Sequence, residues 1–109
     1  MLPSIETRQY VNAAGVSPFE QWFDRLNDVA AARVTTSLAR LSAGNWSNVK
    51  GVGGGVFEIT LDFGPGYRVY FGKDGDRVVI LLGGGTKKRQ SRDIEVARDH
   101  WKQYKQRKT

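Results

Sequence analysis

The side chains able to handle an anion gather in the second half of this 109-residue chain. Arg68 and Tyr70 stand two apart in the string Tyr67-Arg68-Val69-Tyr70-Phe71, so on a strand they share one face. Glu58 and Thr60 share a face in the same way on the segment before it. Lys87, Lys88 and Arg89 follow Gly83-Gly84-Gly85, and Arg92 comes just after them, in what reads as the first turn of a helix. A cation in that turn opposes the helix dipole by about 0.3–1 kcal/mol. A phosphate held at the same helix end reverses the sign. The chemistry implied is an anion site made from an arginine, lysines, backbone amides and a tyrosine hydroxyl. The plainer alternative is that Arg68 pairs with Glu58 across two strands and the lysines are only solvated.

Other chemistries lack their residues. There is no cysteine, hence no disulfide, thiol nucleophile or thiolate metal site. His100 is the single histidine; on a helix beside Trp101 it reads as a structural residue. No carboxylate cluster has metal-ligand spacing, so neither a metal nor a cofactor is expected. Gly53-Gly54-Gly55 and Gly83-Gly84-Gly85 lack both the phosphate-loop and the dinucleotide patterns. They read as a loop before one strand and a close turn after another. The longest strongly apolar run, Val78 to Leu82, is far short of a membrane span of roughly 20 residues. Met1-Leu2-Pro3-Ser4-Ile5-Glu6 places no basic stretch before an apolar one, as a signal peptide would. The expectation is a cytoplasmic protein without membrane contact.

Charge is unevenly spread. Residues 1–49 carry four basic and four acidic side chains, and residues 50–83 again four of each. The last 26 residues hold nine basic groups against three acidic ones, so the whole net charge of +6 lies there. Such asymmetry favours a polyanionic partner, nucleic acid being the commonest; a merely solvated basic tail is the alternative.

The elements that must position these groups follow from periodicity. Ile5 to Val11 reads as a short strand. Ser17-Pro18-Phe19-Glu20 starts a helix with a serine cap, proline at the first position and a closing glutamate. Phe19, Trp22, Phe23 and Leu26 form one apolar stripe. Asn27-Asp28 ends that helix and caps a second, in which Ala31, Val34, Leu38 and Leu41 share a face and Arg33 and Arg40 point away. Gly44-Asn45 ends it, and the short join makes the two an antiparallel hairpin.

From Val56 the period becomes two. Phe57, Ile59, Leu61 and Phe63 would face the helices, with Glu58, Thr60 and Asp62 opposite. Gly64-Pro65-Gly66 turns the chain into a strand from Tyr67 to Phe71, with Tyr67, Val69 and Phe71 inward and Arg68 and Tyr70 on the other side. Asp74-Gly75 makes the next tight turn. Val78 to Leu82 is apolar on both faces, as in a covered central strand. Ser91 would cap a last helix carrying Ile94, Ala97, Trp101 and Tyr104 on one side, with Lys102 to Thr109 fraying. The plan is β-α-α-β-β-β-α: a single α+β domain over residues 1–109, its helices against one face of a small, mostly antiparallel sheet.

Three strings carry a resemblance. Gly55-Val56-Phe57-Glu58-Ile59, Asp62-Phe63-Gly64-Pro65-Gly66-Tyr67-Arg68-Val69-Tyr70-Phe71 and Leu81-Leu82-Gly83-Gly84-Gly85-Thr86-Lys87-Lys88-Arg89-Gln90-Ser91-Arg92-Asp93-Ile94 closely resemble addiction-module killer proteins. Those are HigB-like members of the RelE/ParE toxin superfamily, often phage-derived, and the likeness spans nearly the whole chain. It implies the toxin of a bacterial type II toxin–antitoxin pair. Such toxins act as metal-independent ribonucleases on mRNA at the ribosome. They are neutralised by a helix-turn-helix antitoxin encoded beside them, and the operator DNA is reached only through that antitoxin. By position, Arg68 matches the family's phosphate-binding arginine, Lys87 and Lys88 its post-strand basic motif, and Lys50 the lysine before the second strand. Tyr70 matches as the aromatic neighbour of the arginine. The sequence departs at Thr60, where the family carries a second arginine; this bears on cleavage efficiency more than on fold or RNA binding.

RNA cleavage by its own 2′-hydroxyl needs proton removal, a stabilised phosphorane and a protonated leaving oxygen. Arg68 and Lys87 suit the phosphate oxygens. Lys50, Lys88 and Tyr70 are the candidates for moving protons, and Arg89 and Arg92 for holding RNA. Two other readings compete: a ParE-like toxin that binds gyrase, and a non-catalytic RNA-binding relative. The Lys87–Arg92 string and a helical hairpin of ordinary length favour the nuclease; Thr60 keeps the non-catalytic reading open.

Overall fold

The computed structural model describes residues 4–108. Met1-Leu2-Pro3, part of the segment read for a signal peptide, and Thr109 lie outside the described residues. Five strands and three helices follow in the order β1 (Glu6–Gln9), α1 (Pro18–Phe23), α2 (Asp28–Ser42), β2 (Val49–Gly53), β3 (Val56–Leu61), β4 (Tyr67–Asp74), β5 (Val78–Thr86) and α3 (Gln90–Lys108), with a 3₁₀ turn at Lys87–Arg89. The sheet order is β1-β5-β4-β3-β2. β1 runs parallel to β5, and the other pairs are antiparallel.

The helical hairpin forms where local signals agree. Ser17 Oγ accepts from the Glu20 amide at 3.1 Å, and the Asn27 side chain accepts from Ala30 at 2.9 Å, so each helix start satisfies an amide that would otherwise lack a partner. The hairpin covers one sheet face. There Phe19, Val34 and Leu41 pack with Ile59, Leu61, Val69, Phe71, Val79 and Leu81, the inward set that alternation predicts for β3 and β4.

The other face is not left bare, and this corrects the expectation of helices on one side only. Helix α3 crosses it. Ala97 and Trp101 join Tyr10, Val56, Tyr70, Ile80 and Leu82 in a second core. The stripe Ile94, Ala97, Trp101 and Tyr104 that periodicity marks on this helix is the set that packs here; which sheet face it covers is not local information. Two tryptophans lock the layers through glycines. A Cβ at Gly84 would lie 2.3 Å from the Trp22 ring, and one at Gly72 would lie 2.4 Å from Trp101, so only glycine admits these contacts.

Three further expectations are corrected. Val49–Gly53 is a further strand, so Gly53 ends it and only Gly54-Gly55 form the expected loop before Val56; as a sheet edge it has no fully buried residue and so shows no apolar alternation. The triple glycine at 83–85 continues β5 instead of turning. A bulge opposes Tyr70 to Gly83 and Phe71 to Leu81, leaving Leu82 as the extra residue and re-aiming the rest of the strand. Helix α3 begins at Gln90 after the 3₁₀ turn, so Ser91 lies within its first turn and is not its cap.

Nor does the basic end fray through Lys102–Lys108. Tyr104 donates to Asp74 at 2.6 Å, Lys108 pairs with the same carboxylate, and Arg107 donates to the Tyr10 hydroxyl at 2.8 Å.

Candidate functional site

The site lies where β2, β3 and β4 run side by side under the start of α3. Register places Lys50 opposite Glu58, Glu58 opposite Tyr70 and Thr60 opposite Arg68. Glu58 is the centre. Its side chain is 0% exposed, and a buried carboxylate needs charge and hydrogen-bond partners. Gln90 Nε2 donates to both of its oxygens, at 3.1 and 2.9 Å. Lys50 Nζ stands 3.5 Å away and Arg68 Nε 3.9 Å away. The cross-strand Arg68–Glu58 pair named as the plainer alternative is therefore present, but diagonal and loose.

Arg68 is buried as well, at 7% exposure, rather than standing on an open polar face. Its Nη1 donates to the Gly66 carbonyl at 2.8 Å, and the Lys87 amide donates to that same carbonyl at 2.8 Å. Gly66 has φ +76, the left-handed conformation that favours glycine. The Gly64-Pro65-Gly66 turn thus fastens the arginine to the beginning of the Lys87–Arg89 turn. Arg68 Nε makes no hydrogen bond.

Lys87, Lys88, Arg89 and Arg92 are exposed. Lys87 and Lys88 make no ion pair among the described residues. Arg89 and Arg92 act on Asp93. Its carboxyl is pushed above the ordinary range by burial, and the two cations oppose that shift. A Cβ at Gly85 would fall 1.9 Å from Asp93 Oδ2, so this glycine makes room for the carboxylate.

Tyr70 shares the predicted face, but α3 buries it at 1% exposure. Burial first, and then the Glu58 charge, raise its hydroxyl well above the usual tyrosine range. With Arg89 it lines a cleft of about 450 Å³ between α1 and α3, floored by Gly83–Thr86. The fold therefore joins Lys50, Glu58 and Arg68, ties Lys87 to them through Gly66, and sets Tyr70, Arg89 and Arg92 to the flank.

Gln90 was not legible as a partner, since 32 positions separate it from Glu58 and only the docking of α3 brings them together. His100 stacks on Tyr10 at 5.1 Å, and burial lowers its pKa. Among the described residues no group of three or more His, Asp or Glu side chains could hold a metal ion, and no helix is long and apolar enough to cross a membrane.

A family model described as phage-derived protein Gp49-like matches residues 21–103, a span from α1 into α3 that contains every candidate site residue. An uncharacterized protein of Haemophilus influenzae is 40% identical over 81 residues, covering 73% of this chain and 82% of that relative.

Proposed function

The chain belongs to the Gp49-like family of phage-derived proteins, and on that premise we propose that it is the toxin of a bacterial type II toxin–antitoxin pair. In this reading it is a HigB-like endoribonuclease that cuts mRNA at the ribosome in the cytoplasm without a metal ion. A helix-turn-helix antitoxin holds it inactive and carries it to operator DNA. One observation carries the reading: a fully buried carboxylate, Glu58, gathers Arg68, Lys50 and Gln90, beside the exposed Lys87, whose amide shares the Gly66 carbonyl with Arg68, and its neighbour Lys88.

The reacting 2′-hydroxyl loses a proton as its oxygen attacks phosphorus, and the departing 5′-oxygen gains one. Between these events the five-coordinate phosphate carries extra negative charge, which fixed cations stabilise without reorganising. Arg68, fastened by Gly66 and Glu58, is such a cation. Lys87 and Lys88 reach phosphate oxygens from the solvent side, and Arg89 and Arg92 hold RNA at the flank. Glu58 is a positioning residue: it orients Arg68 and Lys50. Tyr70 stays protonated at working pH and supports the Glu58 pocket, so proton transfer falls to the solvent-facing Lys50 and Lys88.

Controlled expression in a bacterial host tests this. Growth arrest with new mRNA ends inside translated regions is expected. Gyrase-linked DNA breaks without mRNA ends would transfer the chain to the gyrase-binding class, and growth without arrest would make it a non-catalytic relative.

A further inference from the structure

The charge count along the sequence balances over residues 1–49, yet the fold does not keep that balance in space. Arg33 and Arg40 sit seven residues apart on α2, two helical turns and about 10 Å along one face. Both line a cleft of about 390 Å³ with Ser37, Asn48, Thr60 and Asp62. The acidic residues that offset them in the count lie elsewhere: Glu6 on β1, Glu20 on α1, Asp24 at its end and Asp28 in the first turn of α2. Among the described residues neither arginine makes an ion pair. Asp62 is the one carboxylate among the residues lining the cleft, and it leaves a net positive charge there.

The cleft continues the site already described. The Arg33 guanidinium lies 4.5 Å over the Phe63 ring, which fixes its plane. Phe63 packs on Tyr67 at 5.1 Å, and Tyr67 precedes Arg68. Thr60 lines the cleft and is also the strand partner of Arg68. The turn at 64–66 is therefore a ridge, with Arg68 and Lys87 on one flank and Phe63 and Arg33 on the other.

We infer that the α2–β3 cleft is a second phosphate site, holding the single-stranded RNA that flanks the cleaved bond. This rests on the nuclease reading above. Two cations spaced along a helix, with hydroxyl and amide donors between them, suit successive phosphates of a strand better than a single small anion. The half-buried Phe63 and Tyr67 rings line the ridge beside these cations, and cations next to aromatic rings are the combination that single-strand binders use.

The test measures binding of the full chain to uncleavable 2′-O-methyl RNA of about 4 and about 10 nucleotides across a salt series. Wild type is compared with Arg33→Gln/Arg40→Gln and with Lys87→Gln/Lys88→Gln. The arginine pair should leave the short RNA unaffected and remove most of the affinity gained with length. It should also flatten the slope of log affinity against log salt by about 1.4 units for two single-strand phosphates. Arg33→Lys/Arg40→Lys, which keeps both charges, should restore the slope. Wild-type binding of the long RNA by the glutamine pair, while the lysine pair weakens it, would overturn the second site and leave the nuclease reading standing. Equal losses on short and long RNA would also overturn it, by merging the cleft with the primary site. No salt-dependent binding of the long RNA by wild type would likewise overturn the second site, while the nuclease reading stands or falls on the mapped mRNA ends.

Discussion

The two faces of the sheet are built from different materials. On the hairpin side, apart from the Ser17 cap, the buried residues form one apolar cluster around Val34, Val69 and Phe71, each 0% exposed. On the α3 side a carboxylate and a guanidinium are buried beside tyrosine and tryptophan. Apolar burial stabilises in proportion to area and asks nothing else of the residue. A buried ion pair is a weak stabiliser once desolvation is counted. The hairpin face therefore supplies stability, while the ionic group on the opposite face is best understood by what it holds in place. Arg68 and Val69 are consecutive residues of β4, so the two roles are separated only by the direction a side chain takes from one strand.

The largest expected effect is on the hairpin side. Phe71→Ala opens a cavity next to Trp46 and Phe57, which its ring contacts at 5.4 and 5.5 Å, and should cost about 3–5 kcal/mol in urea unfolding. A loss below about 1 kcal/mol would mean that this face does not carry the fold. The site side should respond in the opposite way. Glu58→Gln keeps the shape and removes the charge that orients Arg68 and Lys50. Cleavage should fall about 10- to 100-fold, the equivalent of one charge-assisted hydrogen bond, in a protein that still folds. A Glu58→Gln protein that cuts RNA at the wild-type rate would leave the carboxylate a purely structural group.

The difference between the faces is also a difference in legibility. Caps and stripes are local, so Ser17, Asn27 and the Phe19–Trp22–Phe23 stripe could be read directly, as could the alternation that puts Glu58 and Arg68 on one face. What closes the site is not local. Gln90 meets Glu58 only because α3 folds back over the sheet, and the bulge at Leu82 decides which glycine lies under which side chain. Lys50 came from family resemblance alone, since an exposed edge strand has no periodicity to show. The stripe of α3, Ile94, Ala97, Trp101 and Tyr104, could be read, but not the sheet face it covers, since a helix with only Ala97 and Trp101 fully buried gives no local sign of which layer it meets.

A smaller effect belongs to the far end of α3. The Lys108 ammonium, and then the Tyr104 hydroxyl, hold the Asp74 carboxyl below the usual carboxylate range. Burial and the same contact push Tyr104 up to about 12. A carboxyl with a lowered folded pKa contributes its stability above the unfolded value of about 4 and loses it as pH falls through the folded value. Amide exchange in the last turns of α3, taken relative to its intrinsic rate at each pH, should therefore rise below about pH 4 in wild type. In Asp74→Asn it should be faster already at pH 7 and change less with acid. Equal exchange in the two proteins at pH 7 would show that Asp74 does not hold the helix end.

In the proposed reaction Arg68, fixed by Glu58 and Gly66, stabilises the reacting phosphate. Single-turnover cleavage of an mRNA on ribosomes, comparing wild type with Arg68→Lys, tests it most directly, because lysine keeps the charge that Glu58 needs and loses the planar fork. The expected result is a folded Arg68→Lys protein, with thermal midpoint within a few degrees of wild type, whose cleavage is slower by about 10- to 100-fold. A folded Arg68→Lys protein that cleaves as fast as wild type would contradict it.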